Sequence, residues 1–156
     1  MIPLDASRRD IRNILAKFGQ GAFYATGGAM NLAHNVNEII VFETEVVDVN
    51  SWFAANVFTP KQPGYYLLFA KANIPAGAGD FAAGDFAYIY IRKNTATCSS
   101  LGRTSTVLST MSTMTLVEAN GTDTFDVYGL YSGGAGDVCN ITECAFGGVF
   151  VSYNNP

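Results

Sequence analysis

Residues 52–74, W-F-A-A-N-V-F-T-P-K-Q-P-G-Y-Y-L-L-F-A-K-A-N-I, constrain the fold more tightly than any other stretch of the chain. Pro60 and Pro63 carry no amide hydrogen to donate to a sheet ladder, so they mark a corner between two extended segments. Gly64, open to backbone angles closed to other residues, starts the second segment. From there Tyr65, Leu67 and Phe69 fall on one side of a strand, and Tyr66, Leu68 and Ala70 on the other. A strand apolar on both sides has to be covered on both sides. Taken alone, the segment suits an ordinary strand in any β-sandwich.

Turn punctuation elsewhere predicts strands near residues 22–27, 36–49, 52–58, 64–74, 86–93, 104–118, 123–131 and 145–153. Eight antiparallel strands in two sheets make an all-β jelly-roll sandwich. Residues 104–115 hold eight Ser or Thr among twelve, which fits a strand with a wet face or a subunit contact. Its apolar members Val107, Leu108, Met111, Met114 and Leu116 do not alternate cleanly, which predicts a bulge or bend. At 156 residues the chain is expected to form one domain with a sizeable core. With 11 Phe, 8 Tyr and only 14% charged residues, disorder is excluded. The same balance suits a sandwich partly covered by other subunits, or a monomer with a mildly apolar, Ser/Thr-rich exterior.

The first 20 residues read differently and are taken as a helical anchor segment ahead of a β-domain at 21–156. Asp5 or Ser7 can cap a helix, Ile11, Ile14, Leu15 and Phe18 form one apolar stripe, and Gly19 supplies the stop. Arg8, Arg9, Arg12 and Lys17 outweigh Asp5 and Asp10, so residues 1–19 carry +2 and the other 137 carry −6. A helix of about 12 residues is marginal in water unless its stripe is buried. The stripe can pack on the sandwich or around a threefold axis. Alternatively Ile11, Ile14, Leu15 and Phe18 insert into another protein while Arg8, Arg9 and Arg12 grip its acidic surface. No apolar run approaches the roughly 18–20 residues needed to span a bilayer, so no membrane partner is expected. Nor does the N-terminus show the apolar core and small-residue cleavage site of a secretory signal, so the chain is expected to be made without secretion.

Candidate chemistry is sparse. Three Gly-rich turns, at 76–80, 82–85 and 132–137, carry Asp80, Asp85 and Asp137, and a jelly roll can gather such loops at one end. Carboxylates with carbonyls suit calcium, but the D-x-[DN]-x-[DN]-G pattern is missing and solvated turns are the better reading, with no metal expected. Cys98, Cys139 and Cys144 are an odd set and are expected to be free thiols. Cys139 and Cys144 can meet only across a turn at 140–143, in an oxidising setting. His34, the sole histidine, sits in a predicted turn, and Glu43 with Glu45 reads as a solvated strand face. No nucleophile elbow or activated cysteine is recognisable, so neither catalysis nor a cofactor is expected. The net charge of −4, with no basic stripe on the β-domain, argues against nucleic acid. Tyr66, Tyr88, Tyr90 and Phe150 are candidates for the core or for a subunit axis.

The segment F-T-P-x-x-P-G-Y-Y-L-L-F resembles the central signature of the complement globular-head and tumour-necrosis-factor jelly-roll family. Val41-Phe42, Val49-Asn50 and Trp52-Phe53 resemble the stretch before that signature, and residues 89–94 resemble a hydrophobic strand ending in Asn. Residues 115–117 with Gly121-Thr122-Asp123 and 125–128 resemble its leucine strand, acidic turn and next strand, and 145–151 the closing strand. The likeness spans roughly residues 36–153 and departs where Thr122 separates the usual Gly-Asp pair. It implies a jelly roll that this family usually builds as a homotrimer. Without collagen-like repeats and with a docking leader, the chain is similar to bacteriophage decoration or cement proteins. Its expected partner is then a major capsid or other virion protein, and its expected location the virion, assembled in the host cytoplasm. A receptor- or glycan-binding head of a phage fibre is the other reading.

Overall fold

A computed structural model describes residues 21–153, and the predicted leader with all seven of its docking residues lies outside that range. The described residues form two antiparallel sheets and no helix. In chain order the strands are β1 (Phe23–Gly27), β2 (Met30–Ala33), β3 (Glu38–Ile39), β4 (Thr44–Asp48), β5 (Phe53–Ala54), β6 (Val57–Phe58) and β7 (Gly64–Ile74). There follow β8 (Phe86–Lys93), β9 (Ala96–Thr97), β10 (Gly102–Thr104), β11 (Ser109–Ala119), β12 (Phe125–Ser132) and β13 (Val138–Ser152). The first sheet runs β11-β7-β13-β1-β4, with β2 beside β13. The second runs β10-β8-β12-β6-β5, with β3 beside β12 and β9 beside β8. This is the jelly-roll sandwich expected from the turn spacing.

Strands β7 and β8 occupy the predicted intervals, and Gly64 opens β7. A Cβ on Gly64 would lie 2.5 Å from the Phe150 ring and 2.6 Å from the Ser152 carbonyl oxygen, so the close approach of β13 demands glycine there. The acidic turn after β11 is fastened to the end of β8. Asp123 accepts from Asn94 Nδ2 (2.5 Å) and from the Asn120 amide (2.9 Å), and pairs with Lys93 Nζ (3.0 Å).

Four predicted segments differ. The interval 36–49 is divided between sheets: β3 joins the second, β4 the first, and Ile40 and Phe42 cross between them into the core. The interval 52–58 is a hairpin, because Ala55 and Asn56 both take positive φ (49° and 67°), the requirement of a two-residue primed turn. The interval 104–118 holds the end of β10 at Thr104, then the expected bend, in which Leu108 has φ 56°, and becomes β11 at Ser109. The closing strand begins at Val138, so residues 140–143 are no turn but part of β13, with Glu143 (φ 48°) at a register shift. Cys139 and Cys144 therefore lie along one strand, both buried and free, and do not face each other across a turn. His34 likewise continues β2 in a bridge to Tyr131, where a turn was expected.

Aromatic rings hold the sheets together. Phe23 of the first sheet stacks on Phe58 of the second at 4.1 Å between centroids and meets Phe146 edge-on at 4.8 Å. Phe58 also packs on Tyr66 and Phe125, and all of these rings except Phe23 are fully buried. Burying large rings at this density is the main source of cohesion in such a sandwich. Replacing Phe58 with Ala is expected to lower stability by about 3–5 kcal/mol, read from denaturant midpoints at unchanged slope.

Candidate interaction surface

The division of β7 into two apolar sides now has a direction. Tyr66, Leu68, Ala70, Ala72 and Ile74 point into the core; Tyr65, Leu67, Phe69, Lys71 and Asn73 point away from it. On β11 the core takes Met111, Thr113, Val117 and Ala119, which leaves Met114 and Leu116 outside. The uneven apolar pattern of that segment thus reflects a strand that is apolar on its outer side too. Register aligns these side chains into rows. Met114, Phe69, Gly147, Tyr24 and Val47 follow one another across all five main strands of the first sheet, with Leu116, Leu67 and Val149 beside them.

The exposure is large for such residues: 62% for Met114, 59% for Leu116, 37% for Phe69 and 38% for Val149. Tyr65, Val151 and Tyr153 extend the patch toward the chain end. Gly147 makes the row flat. A Cβ there would come within 2.4 Å of the Phe69 ring, which lies over the glycine and stacks on Tyr24 at 6.1 Å. A groove of about 560 Å³ opens beside Phe69, Lys71, Ser112 and Met114. An exposed apolar face of this kind is a candidate interaction surface.

Sequence alone offered four other aromatics, Tyr66, Tyr88, Tyr90 and Phe150, for the core or for a subunit axis. Tyr66 and Phe150 are core residues, packed edge-on at 5.4 Å, and burial pushes the Tyr66 hydroxyl pKa up to about 12. Tyr88 and Tyr90 lie on the outer side of the second sheet, where they belong to a ladder. Phe86, Tyr88, Tyr90 and Tyr128 follow at 6.1, 5.9 and 6.3 Å, with Arg103 over Phe86 and Arg92 over Tyr128. Arg92 also grips Asp126 through two 2.8 Å hydrogen bonds. Phe86 stacks on Tyr88, the other rings are tilted against their neighbours, and guanidinium groups cover Phe86 and Tyr128, so the ladder is partly engaged within the chain. The parity of β7 was readable from sequence; which parity faced inward was not.

The Gly-rich loops do gather at one end. Tyr131 donates to Asp85 Oδ2 at 2.7 Å, Asp80 Oδ2 accepts from the Val138 amide at 3.0 Å, and Asp137 Oδ2 from the Gly134 amide at 2.9 Å. His34 Nδ1 accepts from the Gly133 amide at 3.1 Å. Gly133 is obligatory, since a Cβ would fall 2.0 Å from the Tyr131 hydroxyl oxygen. The three carboxylates thus serve as loop clasps, and no group of three or more metal donors forms among the described residues. Burial pushes the thiols of Cys139 and Cys144 up to about 12, the reverse of an activated nucleophile.

The clasp at Asp85 has a pH signature. Its bonds from the Ala82 amide and the Tyr131 hydroxyl hold its pKa below the ordinary carboxylate value. The stabilisation is therefore complete above that ordinary value, about 4, and is lost as pH falls through the depressed one. An NMR acid titration should move the Ala82 amide signal only below about pH 4, and Asp85→Asn should abolish that step.

No protein-family model matches the chain, and no curated protein sequence matches it. Solved structures do. The globular domain of zebrafish complement 1qA protein aligns over 86% of this chain and 99% of its own, at 16% identity and a TM-score of 0.62. The vertex protein P5 of PRD1 aligns over 85% and 98%, at 11% identity and a TM-score of 0.54. Pika GITRL aligns over 86% and 99%, at 13% identity and a TM-score of 0.46. The first two likenesses establish the fold: the chain has the jelly-roll sandwich of complement globular heads, an architecture that a viral vertex protein also adopts.

Proposed function

We propose that the protein is a non-enzymatic structural component of a virus particle, a homotrimer that decorates and stabilises a bacteriophage head. The observation that carries this reading is the apolar outer side of the first sheet. Met114, Leu116, Phe69, Val149 and Val151 form a surface that water alone covers poorly, and two further copies of the chain would bury it. The fold shared with the PRD1 vertex protein supports the viral setting. The leader supplies the attachment: Ile11, Ile14, Leu15 and Phe18 enter a coat or other virion protein, and Arg8, Arg9 and Arg12 pair with its acidic surface. The rival reading, a glycan-binding head, needs ring faces open for stacking, and on the second sheet Phe86 and Tyr128 already carry guanidinium groups over their rings.

Two substitutions separate the roles. Leu116→Lys, at a position exposed in the single subunit, is expected to leave the β-sheet spectrum unchanged. It should weaken self-association at least about tenfold, so that folded monomers sediment where the unaltered chain is trimeric. Ile14→Asp with Phe18→Asp is expected to leave the trimer intact and abolish its incorporation into particles, measured by copy number per head and by the heat resistance of the heads. Normal incorporation of that variant would remove the leader from the attachment, and binding to cells or glycans at few copies per particle would favour the fibre-head reading.

A further inference from the structure

The far rim of the first sheet is formed by β4, the last strand on that side among the described residues. Rims are ordinarily protected, because their free amides and carbonyls invite pairing. This one is apolar and acidic. Val46, Val47 and Val49 are 54%, 45% and 53% exposed, and Val46 is the extra residue of a bulge, unopposed on β1. Glu43 and Glu45 beside them are exposed and have no salt-bridge partner among the described residues. Residues 1–20 carry the complementary set, an apolar stripe beside Arg8, Arg9 and Arg12.

The described chain begins at the end of this rim, where the Ala22 carbonyl accepts from the Val49 amide at 3.1 Å. Gly21 takes φ +99°, a conformation that glycine adopts readily. Five residues of strand cover about 17 Å, and a helix of about 12 residues, as the sequence pattern of the leader predicts, would rise about 18 Å, so the two lengths are compatible.

We propose that β4, with Val46, Val49, Glu43 and Glu45, is the docking surface for the chain's own residues 8–18 in the free protein, from the same or an adjoining copy. The virion partner then takes that segment by exchange. The stripe is thereby kept from non-specific contacts before assembly, and the rim is kept from pairing with other strands. The inference rests on the reading of residues 8–18 as a docking segment, but its test needs no particle.

Hydrogen exchange of residues 44–49 is followed in the full-length free protein, in Ile14→Asp with Phe18→Asp, and in Glu43→Gln with Glu45→Gln. The second variant alters only exposed carboxylates and leaves the core untouched. Both variants are expected to exchange about tenfold faster at 44–49 than the unaltered protein, while β7 and β13 keep their rates. Unaltered rates at 44–49 in either variant overturn the proposal. Such a result leaves the attachment reading standing, since that is decided by incorporation into particles.

Discussion

Strand β7 is apolar on both sides, and most of the architecture follows from having to cover each of them. One side is covered within the subunit: Tyr66 and Leu68 meet the aromatic cluster that Phe58 and Phe125 contribute from the second sheet. The other side, with Tyr65 and Phe69, is covered by nothing else in the chain's described residues except its own neighbours in the sheet. Burial of large rings in the interior makes the subunit cohere, while the exposed counterpart gives it a reason to associate. Both properties come from one sequence of eleven residues.

The contrast between the two outer faces sharpens this account. On the second sheet Phe86, Tyr88, Tyr90 and Tyr128 are also outward-facing aromatics, yet they pack against each other in a row and are flanked by Arg103 and Arg92. Aromatic surface that is engaged in this way is largely shielded from water, and its arginines keep it solvated. On the first sheet Met114 and Leu116 have no such cover, although Lys71 and Glu118 lie on the same outer side. The same residue chemistry thus produces a self-contained layer on one side and an unsatisfied surface on the other.

Much of the fold was legible in the sequence because Pro60, Pro63 and Gly64 punctuate it and because Gly-rich or acidic turns at 76–85 and 121–123 precede β8 and β12. What escaped has physical reasons. The hairpin at 53–58 turns on Ala55 and Asn56, and an Ala in a left-handed conformation leaves little trace in sequence. The crossing at Ile40 and Phe42 is apolar like the strands around it, so the change of sheet was invisible. Strand β13 runs through Glu143 and polar neighbours by means of a bulge, which made its first half resemble a turn. The interaction face escaped because period-two reasoning assigns residues to two sides without saying which is inside. Tyr66 and Phe150 were as good candidates as Tyr65 and Phe69 until the second sheet fixed the direction. The loop clasps of Asp80, Asp85 and Asp137 were foreseen as neighbours, but their use by backbone amides depends on turn geometry that composition does not reveal.

The central claim is that the outer side of the first sheet is buried between copies of the chain. Sedimentation of the purified protein tests it most directly. The account predicts a single species of three times the 16.7 kDa chain mass, stable on dilution. A folded, soluble species of 16.7 kDa that persists at high concentration would contradict it.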